Sequence, residues 1–117
     1  MRLSVEIMLR GNNHVFTETI VHPSEPVAWT EDDVATILKS MLRATAKAQD
    51  PAAPVPDEIQ FRGMNWIVHP AAEGGVVIAL EIHSASAVAG PIPMASATLE
   101  ALIDKAVAAA SRPGIVH

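Results

Sequence analysis

Histidine is the side chain best suited to proton transfer or metal ligation near neutral pH. Two of the five histidines in this chain stand in matching places. His22 closes the segment VFTETIVH and His83 closes VVIALEIH, each shortly after a glutamate, Glu18 and Glu81. In extended chain, residues an even number apart share a face, so each histidine would lie beside its glutamate. Brought together by the fold, the set would offer paired acid–base groups or metal ligands. The plainer reading is a strand-end histidine inherited by duplication or arisen by chance. The spacing fits no defined metal motif, so no metal and no cofactor is expected, and neither is a meeting of the two rings.

The other candidates are weaker. His14 is eight residues before His22, which in a strand is over ~25 Å and too far for one site. His69 precedes Pro70 at a strand end, and His117 is terminal. Trp66 is either an interface anchor, a role in which tryptophan is enriched, or a filler in a core poor in aromatics. Lys39, Arg43 and Lys47 form a basic stripe at helical spacing. Near a helix C-terminus such a stripe complements the dipole and solvates the exposed face. The serines of the 84–95 segment lack a nucleophile-elbow pattern. No dinucleotide-binding, phosphate-loop or HExxH motif occurs, and with no cysteine disulfides, thiolate chemistry and sulfur-ligated metals are excluded.

The 117 residues carry 13 Asp and Glu against 8 Lys and Arg, a net charge of −5. Phosphate contacts dominate nucleic-acid affinity, so no nucleic-acid partner is expected. Half of the residues are hydrophobic but only 3% aromatic, and 18% are charged, against about 25% in typical domains. So weakly charged a surface suits an oligomer, and a homodimer is expected. The first residues, MRLSVEIMLRG, carry Glu6 within their apolar stretch, so no signal peptide is expected. The longest uncharged run, 84–99, is broken by Gly90, Pro91 and Pro93, so no membrane span is expected either. The expected location is cytoplasmic.

The elements that must position these side chains are read from periodicity. Leu3, Val5, Ile7 and Leu9 alternate with Ser4, Glu6, Met8 and Arg10, which describes a half-buried strand. Gly11-Asn12-Asn13 is turn chemistry. A three-residue loop there pairs Leu9 with Val15 and puts Val15, Thr17, Thr19 and Val21 on the core face. Phe16, Glu18, Ile20 and His22 then fall on the opposite face with Met8. Thr30 is an N-cap with Asp33 three residues on, a variant capping box, and Trp29 can staple onto Val34. Val34, Ile37, Leu38, Met41 and Leu42 mark the buried stripe of a helix that runs to about residue 48.

Residues 50–57, with three prolines, read as a linker. A strand is expected from about 58 to 69, with a bulge near Gly63, then a turn at Glu73-Gly74-Gly75 and a strand over 76–83. Residues 84–95 read as a long loop and 96–111 as a second helix, buried through Leu99, Leu102, Ile103, Ala106 and Val107. The segments 15–22 and 76–83, each preceded by a strand and followed by a helix, read as copies. One α+β domain is therefore expected, a two-layer sandwich of tandem ββα-ββα units (1–49 and 58–111) with a tail at 112–117. Its four-stranded antiparallel sheet would be covered on one face by both helices.

The other face would be open. A merely solvated face would not carry Phe16 and Ile20. The function expected is that of a small, acidic, non-catalytic binding or accessory protein that acts through this apolar face, as a homodimer formed through the sheet face or an edge strand, with a protein or a small molecule as its further partner. The alternative is a small-molecule-binding domain or enzyme with a pocket between that face and the 84–95 loop. The candidate binding residues are Phe16, Glu18, Ile20, His22, Trp66, Glu81 and His83.

Overall fold

The computed structural model describes residues 1–11, 14–52, 54, 61 and 63–110. β1 (Arg2–Leu9) and β2 (Val15–Val21) lead through a short 3-10 turn at Pro26–Ala28 into α1 (Glu31–Gln49). β3 (Asn65–Pro70), β4 (Val76–Ile82) and β5 (Ala85–Ile92) then run into α2 (Ser96–Ala110). The strands form one five-stranded sheet in the order β2-β1-β5-β4-β3, and every neighbouring pair is antiparallel. Both helices cover the same face. Leu3, Val5 and Ile7 of β1, Ile78 and Leu80 of β4, and Ala87 and Ala89 of β5 join Ile37, Leu38 and Met41 of α1 and Leu99 and Ile103 of α2 in one core.

Local chemistry explains the best-defined elements. α1 starts at a complete capping box. The Asp33 amide donates to the Thr30 hydroxyl, and the Asp33 carboxylate accepts from the Thr30 amide at 2.8 Å. Glu31, Asp32 and Asp33 occupy the first turn, where acids favour the helix dipole. Trp29 and Val34, the two ends of the staple, are both buried. Leu102, expected in the core with Ile103, is only half-buried and packs at its margin.

The four-stranded ββα-ββα architecture is corrected to a five-stranded ββαβββα order. The segment expected as a long loop from 84 to 95 contains β5, the central strand of the sheet. Its Ala, Ser, Gly and Pro residues are poor strand formers, which hides it from a propensity reading. The alternation is nonetheless present, with Ala85, Ala87 and Ala89 buried and Val88 exposed. Methyl groups at these positions leave room for the helices to pack on the middle of the sheet. Near its end Gly90 and Pro91 stand opposite Val77 alone, two residues against one, a bulge that takes proline out of the regular ladder.

The repeat fails for a related reason. β2 is an edge strand, whereas β4 lies between β5 and β3. A shift of 61 residues aligns Val15, Thr17, Thr19 and Val21, which face away from the helices, with the helix-facing Val76, Ile78, Leu80 and Ile82. The register of the first hairpin also differs by one residue. Met8, not Leu9, pairs with Val15, and such a slip turns every side chain of a strand to the other face.

β3 begins at Asn65. Trp66 and Val68 are opposite Leu80 and Ile78 on the helix side, and Ile67 points the other way. The expected strand start at 58–60 and most of the 50–57 linker lie outside the described residues, as do Asn12, Asn13 and the tail at 112–117.

Candidate functional site

The open sheet face is built from the residues that alternate with the core. Strand pairing sets them in rows across the sheet. One row reads Val15, Met8, Ser86, Glu81 and Asn65, and the next reads Thr17, Glu6, Val88, Ala79 and Ile67. Val77, His69, Thr19 and Ser4 lie further along, with Arg2 and Val21 beyond. Met8 (53% exposed), Val15, Val21 (70%), Ile67 (48%) and Val88 are exposed large apolar side chains on this one face. Val27 is the sixth such side chain among the described residues, and it sits in the turn before α1. The apolar stripe from Val15 through Met8 and Val88 to Ile67 runs between the carboxylates of Glu6 and Glu81.

The candidate residues are placed as follows. Phe16, Glu18 and Ile20 lie opposite Ile7, Val5 and Leu3 and therefore on the helix side, not the open face. Phe16 and Ile20 are half-buried against the core, and Glu18 is 4.0 Å from the Lys47 Nζ of α1. Trp66 is half-buried on the same side. Glu81 is on the open face as expected and exposed. His83 is exposed in the two-residue turn between β4 and β5.

His22 has a structural position. It is 6% exposed, past the end of β2, and its Nε2 lies 2.9 Å from Asp33 Oδ1. An ionised carboxylate only accepts, so Nε2 carries the proton and donates. The Trp29 ring meets the imidazole edge to face at 6.1 Å, and the His22 main chain pairs with Met1 through two hydrogen bonds. Asp33 is held below the ordinary carboxylate range, first by the Thr30 amide and then by the His22 hydrogen bond. Sequence reading found Asp33 as a cap and missed it as the partner of His22.

The two histidines do not meet. His22 sits beside Met1 and His83 beside Arg10, whose amide donates to the Ser84 carbonyl. The length of β1 separates them, on the order of 25 Å. Residues 85–92 lie in the sheet, so no loop over 84–95 covers the open face. A shallow cavity of about 190 Å³ does lie at the Arg10 end of the sheet, lined by Met8, Arg10, Glu81 and Ser86 among others. Among the described residues no three histidine, aspartate or glutamate side chains gather as metal ligands would. No helix among them is long and apolar enough to cross a membrane. A second cavity, of about 380 Å³, runs between β2 and α1 along Ile20, Ser40, Arg43, Ala44 and Lys47.

Compared with protein-family models, curated proteins and solved structures, the chain matches none.

Proposed function

We propose that this is a small, acidic, non-catalytic binding or accessory protein that works as a homodimer and engages a protein partner through the open face of its sheet. One observation carries the reading: Met8, Val15, Ile67 and Val88 stand in two neighbouring rows of a single face instead of being scattered. Scattered apolar residues are ordinary on a surface, whereas a contiguous apolar area marks an interaction site. The flanking Glu6 and Glu81 favour a partner whose apolar stripe is bordered by Lys or Arg. A cytoplasmic setting is part of the same reading. The alternative, a small-molecule-binding domain or enzyme, keeps Glu81 and the cavity beside Met8, Arg10 and Ser86 but not a pair of convergent histidines, since His22 and His83 lie at opposite ends of β1.

The test is a photo-cross-linking residue at Val88 in the producing cell. One discrete adduct with another protein, lost when Ile67→Glu is added, is the expected result. No adduct, or an adduct indifferent to Ile67→Glu, contradicts the reading.

A further inference from the structure

We infer that β2 is the homodimer interface, pairing antiparallel with β2 of a second copy about a twofold axis through Glu18. The inference rests on the homodimeric reading above and adds the surface and the register. β2 is an edge of the sheet, paired with β1 in an unbroken register from Val15 to Val21. An edge that must stay single is usually blunted by proline, lysine, a bulge, an inward-pointing charge or extreme shortness. β2 has no proline, lysine or bulge; its one charge, Glu18, points to the helix side, where Lys47 of α1 is at hand to pair with it.

Its sequence, Val15-Phe16-Thr17-Glu18-Thr19-Ile20-Val21, is palindromic in chemistry about that glutamate. An isologous contact matches each residue with its mirror position. Antiparallel pairing centred on Glu18 sets Val15 opposite Val21, Phe16 opposite Ile20 and Thr17 opposite Thr19, each twice. Aromatic against β-branched and threonine against threonine are among the favourable cross-strand pairs.

Directly opposed residues share a sheet face, so the faces also agree. Phe16 of the second copy would arrive beside Ile20 at the mouth of the 380 Å³ groove under α1, where its ring has an apolar floor in Ile20 and Ala44. The unfavourable element is Glu18 opposite Glu18. Lys47, already 4.0 Å from the Glu18 carboxylate, offsets that repulsion in each copy. The product is one ten-stranded sheet with both helix layers on one side and both open faces continuous on the other.

The test uses Thr17 and Thr19, which are exposed on the open face, so that charge there leaves the folded monomer intact; circular dichroism confirms this for each variant. Sedimentation of the full chain at micromolar concentration should give twice the 12.4 kDa chain mass. The Thr17→Lys, Thr19→Lys double variant and the Thr17→Glu, Thr19→Glu double variant should each sediment as monomers. Mixed one to one, they should return to the dimer mass, because lysine then faces glutamate at both pairs.

A monomeric wild-type chain overturns the homodimeric reading and this inference together. A dimer that survives both double variants overturns the inference alone, as does a mixture that stays monomeric. Because the chain has no cysteine, a register check follows from single substitutions. Thr17→Cys and Thr19→Cys chains should form the disulfide-linked dimer at least tenfold faster when mixed than either does alone; equal rates reject the register.

Discussion

The His22 imidazole donates to the Asp33 carboxylate across 2.9 Å and so joins the end of edge strand β2 to the first turn of α1. Asp33 also closes the capping box with Thr30, so one carboxylate holds both a strand end and a helix start. The Trp29 ring packs edge to face against the imidazole. Removing the imidazole leaves a gap beside Trp29 and takes one partner from Asp33. His22→Ala should therefore cost about 1.5–3 kcal/mol, the range for a hydrogen bond to a charged group, read as a lower urea midpoint at unchanged slope. A loss below ~0.5 kcal/mol would show that the contact does not fasten the fold.

The same pair sets a dependence on acid. Asp33 titrates below its ordinary value in the folded protein, chiefly because the Thr30 amide and the His22 ring favour its charged form. A group with a depressed folded pKa binds fewer protons folded than unfolded, so its contribution is present above the unfolded value, near ~3.9 for aspartate. It is lost as the pH falls through the lower folded value. Stability should hold from neutral pH to about pH 4 as far as Asp33 is concerned and then decline. Asp33→Asn should lower stability at pH 7 and flatten that acid decline. Equal slopes for both proteins in urea titrations at pH 2–5 would contradict the assignment.

Gly90 supplies a third prediction. Its φ of 143° lies where side chains are strained, and a Cβ there would meet Val77 Cγ1 at 2.8 Å and the Val76 carbonyl oxygen at 2.9 Å. The bulge in the central strand therefore needs glycine. Gly90→Ala should cost about 1–3 kcal/mol from backbone strain alone, with the crowding added. A calorimetric midpoint within ~2 °C of the wild type would mean that the bulge relaxes freely.

What the sequence made legible follows the strength of its local signals. The alternation of Leu3, Val5 and Ile7, the Thr30–Asp33 cap and the Ile37, Leu38, Met41 stripe each have one physical interpretation, and the folded chain carries all three. β2 had two. Val15, Thr17, Thr19 and Val21 suit a strand core face as well as Phe16 and Ile20 do, and the turn length that would decide between them is not written in Gly11-Asn12-Asn13. β4 is apolar at nearly every position, so it matched β2 in rhythm whichever face was buried. β5 was illegible because its role depends on small size under a helix, a tertiary requirement that propensity opposes. The contact between His22 and Asp33 joins residues eleven apart across a turn, and neither carries a local sign of the other.

The open face remains the central claim, and it predicts which side chains a partner must touch. In methyl-labelled protein titrated with the partner trapped at Val88, the signals of Met8, Val15, Ile67 and Val88 should shift or broaden. Those of Ile37, Ile78 and Ile103, buried between the sheet and the helices, should stay in place. Shifts confined to helix-side or buried methyls, with the four face residues unmoved, would contradict the account.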